Sequence, residues 1–489
     1  MTLLLADHIH GHAGANGLRI EGGSIADIGT WTRDTEEAES AFGGVILPGL
    51  RDSHIHPLGI AARSGQLDLS AARSLQDVID LIGRHSSRLS DGAPVIATGL
   101  DEERLAEGRL PTRFDLDEAA NDRPVLAYRQ CLHIASANSA ALIAGGVSDD
   151  TSDPPDGRLR RSTDGSISGV LEESAIAVVA DALAPVAPGP DRAAVLAVLH
   201  RLRRQGIVAV DAMVAMGSSM WCAGGDELAT IAAIGDESPI TIDVFLITDD
   251  PKTLRRGFET LQAAGRKVRF AGWKGFADGS LGGRTAALRA PYTDDPGTSG
   301  LIVGTRLDEM AETAVDLGGM AAIHAIGDLA VDRALAIASR LGPGTVRIEH
   351  ASVAGPDQVH RMAECGITAS VQPSFVTSDG PWLERRLGLE RSRWAYPFQS
   401  MLQAGVVLRG GSDAPVESTD PFVGIADASL PRTEALGVPA ALDLYAIGPL
   451  GVGEPATFIV TDADPTALSP TEVASIDVRQ VWIDGRRVE

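Results

Sequence analysis

Two histidines spaced two residues apart, His54 and His56, follow an apolar run in the segment VILPGLRDSHIHP. Side chains two residues apart on a strand point to the same face, so both imidazoles could bind one metal ion. A second cluster, His8, His10 and His12, lies in a turn-rich segment with several glycines. We interpret that cluster as a solvated hairpin edge without a metal role. The spacing therefore predicts a metal site at His54 and His56.

Four further residues that can bind a metal ion each close an apolar, strand-like run. They are Lys274 in RFAGWKGFAD, His324 in AAIHAIGD, His350 in VRIEHAS and Asp413 in LRGGSDAP. A single histidine at a strand end is more often a hydrogen-bonded core residue, but six such groups at strand ends indicate a shared site. Four imidazoles, a bridging oxygen ligand and a carboxylate suit a pair of Zn²⁺-like ions.

The distribution of lysines points to one of them. Among 42 lysines and arginines only Lys252, Lys267 and Lys274 are lysines. The first two fall in a polar helical stretch, whereas Lys274 lies in an apolar run. Arginine cannot lose its proton in a protein, but a buried lysine can become a neutral amine. A neutral Lys274 could take up CO₂ as a carbamate, which offers two oxygens as a bridging ligand.

Apolar, β-rich runs alternate with helical patterns from about residue 45 onward. The runs cover residues 94–100, 123–128, 206–213, 239–247, 269–276, 320–326, 345–350, 367–373 and 406–413. Such alternation predicts an α/β fold with a parallel sheet, and roughly eight units favour a closed (β/α)₈ TIM-type barrel. The strand ends of a barrel converge on one mouth, where the six candidate ligands would meet.

Both chain ends differ from the middle in having short β-like pieces with Gly, Asp and Pro turns. We expect residues 1–48 and 445–489 to form one composite β-sandwich, and residues 49–444 to form the barrel.

Composition narrows the class of partner. The formal net charge is −24, and the sequence has no basic stripe. This argues against binding to nucleic acid or to an anionic membrane, because either needs a positively charged surface. No apolar run reaches 18 residues, and the amino-terminal segment lacks the basic start of a signal peptide. Three well-separated cysteines, Cys131, Cys222 and Cys365, fit a reducing compartment. We therefore expect a cytoplasmic protein that acts on a small-molecule substrate. The sequence is compatible with a homo-oligomer.

The segments PGLRDSHIHP, KGFADGSLGGRTAAL, AAIHAIGDLAVDRAL and GGSDAPVESTDPF resemble the amidohydrolase superfamily, in the branch of the N-substituted formamide deformylases and many uncharacterised metal-dependent hydrolases. The resemblance covers nearly the whole chain and implies a barrel with a β-sandwich built from both ends. It also implies one or two divalent ions, with zinc first and manganese or iron as alternatives. In that pattern His54 and His56 hold the more buried ion, carboxylated Lys274 bridges, His324 and His350 hold the second ion, and Asp413 binds metal and shuttles protons.

Other positions carry over from the family with less support. His133 and Asn138, in CLHIASANSAAL, align with a substrate-binding segment, but Cys131 and Leu132 replace its usual Asp-Gly. Arg284 could contact the substrate or tie down the loop after Lys274, and we favour the second role. Glu349 is expected to form an ion pair behind the barrel wall, away from the site. Five aromatic residues could shape an apolar pocket or simply fill the core: Trp273, Phe375, Trp382, Trp394 and Phe398.

The expected reaction is metal-assisted hydrolysis of a C–N bond other than a peptide bond, in an amide, formamide or cyclic amide. A metal-activated hydroxide would attack the carbonyl, and Asp413 would act as general base and then as general acid. The alternatives are a deaminase, lyase or isomerase on the same metal site, or a non-catalytic ligand-binding barrel.

Overall fold

The structure, a computed structural model, describes residues 2–32, 38–186, 189–217 and 226–488. The strands in these ranges are β1 (Thr2–Ile9), β2 (Gly17–Glu21), β3 (Ser24–Gly29), β4 (Ala38–Pro48), β5 (Leu50–Ile55), β6 (Leu67–Asp68), β7 (Val95–Leu100), β8 (Val125–Arg129), β9 (Ile134–Ala137), β10 (Gly157–Arg161), β11 (Ile167–Glu173), β12 (Ile207–Ala215), β13 (Thr241–Ile247), β14 (Val268–Phe276), β15 (Met320–Ala325), β16 (Val346–His350), β17 (Thr368–Val371), β18 (Val407–Gly410), β19 (Phe458–Thr461), β20 (Val478–Ile483) and β21 (Arg486–Val488). The helices are α1 (Pro57–Arg63), α2 (Leu75–Ser86), α3 (Arg113–Ala119), α4 (Ser139–Ala144), α5 (Ala175–Leu183), α6 (Arg192–Arg204), α7 (Glu227–Ile234), α8 (Pro251–Gln262), α9 (Leu307–Asp316), α10 (Asp328–Leu341), α11 (Pro356–Glu364), α12 (Phe375–Ser392, broken at Gly388), α13 (Phe398–Ala404), α14 (Pro421–Ser429), α15 (Val438–Tyr445) and α16 (Pro470–Val473).

Eight parallel strands form the central sheet, in the order β5-β12-β13-β14-β15-β16-β17-β18. The last strand returns to the first: Ile55 and Ala414 form a parallel bridge, and the Asp413 N–H donates to the His54 carbonyl at 2.7 Å. From β12 onward, helices follow each strand and cover the sheet. All nine residues of β12 are buried, as expected for a parallel strand covered on both faces. The (β/α)₈ barrel expected from the sequence is confirmed.

A second sheet, which we call the inserted sheet, is formed by the part of the chain between β5 and β12, with the strand order β10-β11-β9-β8-β7-β6. The runs at 94–100 and 123–128, which the alternation assigned to the barrel, form β7 and β8 of this sheet, so that assignment was wrong. Alternate residues of β8 enter two apolar clusters, one with α2 and α3 and the other with α4 and α5. Because both faces are covered, these strands read as continuous apolar runs, like barrel strands.

The third sheet, which we call the end sheet, joins strands from both chain ends in the order β21-β20-β19-β4-β1-β2-β3. Its two halves meet where β4 and β19 pair antiparallel, from Phe458 opposite Pro48 to Thr461 opposite Val45. This sheet confirms the expected small β domain from both ends. Only Gly49 separates β4 from the first barrel strand, so the end sheet anchors the strand that carries His54. Among the described residues, no helix is long and apolar enough to cross a membrane.

Gly272 lets β14 approach β15 closely, because a Cβ there would lie 2.0 Å from the Met320 carbonyl oxygen. We predict that Gly272→Ala destabilises the barrel by about 1–3 kcal/mol, the usual cost of overpacking. The measurement is the thermal unfolding midpoint. Gly297→Ala is the matched control, since its Cβ would meet only the flexible Asp295 side chain at 3.4 Å. Equal midpoints for the two variants would contradict the prediction.

Candidate metal centre

Six side chains at the carboxyl end of the barrel line one small cavity. They are His54 and His56 at the end of β5, Lys274 on β14, His324 on β15, His350 on β16, and Asp413 after β18. The structure thus brings together all six residues that the sequence singled out. Parallel barrel strands end at a common mouth, which explains why residues so far apart in the chain meet.

His54, His56 and Asp413 form the tightest group. Oδ1 of Asp413 lies 3.3 Å from Nε2 of His54 and 3.3 Å from Nε2 of His56. Within the described ranges these are the only three His, Cys, Asp or Glu residues with donor atoms all within 4.8 Å of one another. Nε2 of His54 is buried and has no hydrogen-bond partner among the described residues. Such an atom needs a partner, and a metal ion would be one.

Three of the imidazoles use their outer nitrogen to donate a hydrogen bond. His54 Nδ1 donates to Glu349 Oε2 at 2.5 Å, His324 Nε2 to the Gly279 carbonyl at 3.0 Å, and His350 Nδ1 to Gln372 Oε1 at 2.7 Å. Because the three oxygens are acceptors, each bond places the ring proton on the outer nitrogen. The other nitrogen keeps its lone pair, which is the usual arrangement for histidines that bind a metal.

Burial keeps these imidazoles neutral. It lowers the pKa of His54 and of His324 far below the usual value for histidine, and lowers the pKa of His350 to about 4. A neutral imidazole is the form that can bind a metal ion. These three imidazoles can therefore bind a divalent cation without first losing a proton.

Lys274 is 1% exposed, and burial lowers its pKa to about 8, against the opposing effect of Glu349 and Asp413. Its Nζ lies 4.8 Å from the centre of the Phe276 ring. By contrast, Lys252 is exposed, and Lys267 donates to the Ser238 carbonyl. The structure therefore sets Lys274 apart from the other two lysines, as the sequence suggested.

Asp413 remains a carboxylate beside the two imidazoles. Burial would raise its pKa, but the effect of His54 and His56 is greater and holds the pKa well below its usual range. The backbone at Asp413 has φ +53°, and that at His350 has φ +72°. Left-handed backbone at a non-glycine residue costs about 1–3 kcal/mol and persists where the surroundings fix it. The backbone at both candidate ligands is thus held in place by its neighbours.

His133 reaches the site from the inserted sheet, in the turn between β8 and β9. Its Nδ1 donates to Glu173 Oε2 at 2.8 Å, and its ring centre lies 4.8 Å from that of His324. It lines both the ligand cavity and an adjoining cavity of about 240 Å³. Phe375 and Trp382 also line this larger cavity, whereas Phe398 is fully buried in the core.

Asn138 and Arg284 lie outside both cavities. Asn138 caps α4: its Oδ1 accepts from the N–H groups of Val125 and Ala141, and its Nδ2 donates to two further carbonyls. Arg284 pairs with Asp294 at 2.9 Å. These contacts correspond to structural roles in the inserted sheet and in the loop after β14.

The first histidine cluster lies in the end sheet. His12 Nε2 donates to the Leu450 carbonyl at 2.8 Å, and His8 lies 3.7 Å from Asp464. Cys131 and Cys365 are free thiols, and Cys222 lies outside the described residues.

Glu349 was placed wrongly by the sequence analysis. It does pair with Arg347, at 2.5 Å, but it is fully buried beside His54 instead of lying behind the barrel wall. Gln372 and Glu173 were not anticipated at all. A sequence signal existed for Glu349, because Arg347 and Glu349 share one strand face in VRIEH.

The sequence model of the amidohydrolase family matches residues 37–489. YtcJ of Bacillus subtilis (strain 168), a candidate amidohydrolase, is 31% identical over 511 aligned residues, which cover 96% of this chain and 95% of that protein. The chain belongs to the amidohydrolase family. The resemblance found in its motifs is confirmed.

Two further relatives are similar over nearly their whole length. The N-substituted formamide deformylase of Arthrobacter pascens is 26% identical, with 96% of this chain and 94% of that protein covered. An uncharacterised metal-dependent hydrolase from Pyrococcus horikoshii OT3, whose crystal structure is known, has a TM-score of 0.71 at 26% identity, with 96% and 99% covered. Family and fold together support a hydrolase.

Proposed function

We propose that the protein is a metal-dependent hydrolase that cleaves the C–N bond of a small amide, formamide or cyclic amide. The observation that carries this proposal is the protonation pattern of His54, His324 and His350. Each donates its outer N–H to an oxygen acceptor and keeps a lone pair at the ligand cavity. A core histidine would use both nitrogens in hydrogen bonds within the protein.

The donor set divides into two groups that could hold one or two divalent ions, zinc first and manganese or iron as alternatives. His54, His56 and Asp413 form one group, and His324 with His350 forms the other, with ring centres 4.4 Å apart. When bound, a divalent ion lowers the pKa of a water molecule and polarises the carbonyl under attack.

We propose that Lys274, once converted to a carbamate, is the ligand that bridges the two groups. Its neutral amine would add to the carbon of CO₂ and release one proton to solvent, which leaves a carbamate with two oxygen donors. Burial, which lowers the pKa of Lys274 to about 8, makes the neutral amine available near neutral pH.

Asp413 is suited to move the proton of the reaction. It stays ionised next to His54 and His56, so it can accept a proton from the attacking water and pass it to the leaving nitrogen. It also lines the cavity of about 240 Å³ in which Phe375 and Trp382 would hold an apolar part of the substrate. His133 lies at the junction of the two cavities, where it could contact the reacting carbonyl.

The direct test is a panel of formamides, N-acyl amino acids and cyclic amides offered to the zinc- or manganese-loaded protein. Hydrolysis of a formamide or an N-acyl amino acid predicts stoichiometric release of an amine together with formate or another carboxylate, and hydrolysis of a cyclic amide predicts one ring-opened product that carries both groups. Release of ammonia from an amino-substituted ring would indicate a deaminase, and products without water added would indicate a lyase or isomerase. No turnover by the metal-loaded protein, together with tight binding of a panel compound, would favour a ligand-binding barrel.

We predict that Asp413→Asn keeps most of the metal but lowers kcat by about 10²–10⁴, the contribution of a general base. The amide oxygen can still act as a weak ligand, but it cannot accept the proton. The measurement is kcat on the best substrate of the panel, beside metal content by elemental analysis. Near-normal kcat on a substrate whose chemical step is rate-limiting would show that Asp413 has another role.

We also predict that Lys274→Arg abolishes turnover, because a guanidinium cannot form a carbamate and adds a fixed positive charge beside the ligands. Lys252→Arg is the matched control. It should change stability by no more than about 0.5 kcal/mol, as is usual for an exposed site. An active Lys274→Arg variant that binds two ions would exclude the bridging role and favour a single ion held by histidines and Asp413.

A further inference from the structure

Charged side chains fill part of the barrel interior, where apolar residues would be usual. They come from five strands and alternate in sign from the ligand cavity toward the amino ends of the strands. In that order they are Glu349 and Arg347 on β16, Asp211 on β12, Arg51 on β5, Asp243 on β13 and Arg269 on β14. We call this set the ion column.

Each member of the ion column is bonded to the next. Arg347 donates to Glu349 Oε1 through Nε and to Asp211 Oδ2 through a terminal nitrogen, both at 2.5 Å. Arg51 then joins Asp211 to Asp243, with 2.7 Å to the second carboxylate.

Arg269 ends the ion column with bonds of 2.8 and 2.9 Å to Asp243. The side chain of Arg269 is 53% exposed, whereas Glu349 is fully buried. The chain of contacts therefore runs from the candidate ligands to the protein surface.

The ion column has equal numbers of positive and negative groups. A buried ion that loses its partner is strongly destabilising, so each member restricts the position of its neighbours. Arg347 is held most completely: a third donor atom bonds the Ser53 carbonyl at 2.8 Å, and the guanidinium carbon lies 4.2 Å from the centre of the Phe245 ring. Apolar residues in place of a buried ion network are often as stable or more stable. Stability alone therefore gives no reason for ions in this place.

The end of the ion column supplies such a reason. Glu349 accepts on both oxygens, one bond from Arg347 and one from His54 Nδ1. The outer acceptors of His324 and His350 are neutral, a backbone carbonyl and an amide oxygen. A carboxylate, Asp278, also lies 3.5 Å from the outer nitrogen of His324, but its nearer oxygen accepts from the Ile326 N–H. His54 is thus the one of these three histidines that donates its outer hydrogen bond to a carboxylate, and that carboxylate is fixed by the ion column.

We propose that the ion column is a positioning device for His54, in which Arg347 and Asp211 hold Glu349 in place so that the His54 proton stays on Nδ1 and Nε2 is available to a divalent ion. This inference rests on the proposed function, in which His54 binds metal. Arg347 and Asp211 touch none of the candidate ligands directly. They act on the ion held by His54 and His56 and leave the ion held by His324 and His350 largely unaffected.

The test is a competition between the zinc-loaded full-length protein and a chromophoric chelator. Loss of an outer acceptor typically weakens metal binding by about 10–100-fold. We expect Glu349→Gln and Arg347→Met each to weaken one zinc equivalent by that factor, and Asp211→Asn to weaken it less. Arg347→Lys, which keeps the charge but not the fork of donors, should restore part of the affinity.

Arg340→Met is the matched control for loss of an arginine. Arg340 forms exposed ion pairs with Asp308 and Glu312 on the outer helices, and its loss should leave the zinc affinity unchanged. Asp211→Asn is made in parallel, because a barrel without the buried Arg347 cation can fail to fold. The Asp211→Asn substitution removes one negative charge and keeps the size of the side chain.

A second readout needs no metal. ¹⁵N NMR of histidine-labelled, metal-free protein reports which ring nitrogen carries the proton. His54 should be protonated at Nδ1 in the wild type, and Arg347→Met or Asp211→Asn should give a mixture of both forms.

Variants that unfold at lower temperature yet keep wild-type zinc affinity and a single His54 form would overturn the proposal, because the ion column would then be structural. A wild-type protein that takes up no zinc would overturn the proposed function, and the role of the ion column with it.

Discussion

The return of the last barrel strand to the first is the contact on which the site depends. When β18 meets β5, the Asp413 N–H bonds the His54 carbonyl, and the Asp413 carboxylate comes within 3.3 Å of two imidazoles. The loop after β18 must pass through left-handed backbone at Asp413 to achieve this. The barrel thereby places a carboxylate from one end of the chain next to histidines from the other. Without closure, neither the cavity nor its set of donors would exist.

Burial then decides the chemical state of that donor set. The same loss of water that keeps His54 and His350 neutral also lowers the pKa of Lys274. Asp413 stays charged, helped by a hydrogen bond from His56 that lowers its pKa. The outer nitrogens of His54, His324 and His350 each have an acceptor, so the other nitrogen of each ring keeps a lone pair that can bind a metal ion. The inserted sheet completes the wall by adding His133, backed by Glu173. The barrel therefore carries the six candidate ligands, and the inserted sheet forms part of the cavity wall beside them.

The sequence was sufficient to predict that the six candidate ligands meet in one cavity, because each closes an apolar run and a barrel brings such positions together. It was not sufficient for β7 and β8. An apolar run reports that a strand is covered on both faces, but not which sheet it joins. Glu349 was misplaced because neighbouring residues on a regular strand face opposite sides, so Glu349 was expected to face away from His350. The left-handed backbone at His350 breaks this alternation at the strand end. The structural role of Arg284 was favoured from the sequence, whereas that of Asn138 depends on hydrogen-bond partners up to 18 residues away that the local sequence does not identify.

The central claim is that His54, His56 and Asp413 hold a divalent ion at the mouth of the barrel. Anomalous X-ray diffraction from zinc-loaded crystals, recorded at the zinc absorption edge, tests it most directly. The account predicts a zinc peak about 2.0–2.2 Å from Nε2 of His54, Nε2 of His56 and a carboxylate oxygen of Asp413. A zinc peak at His8 or His12 in the end sheet, with none at the barrel mouth, would contradict it.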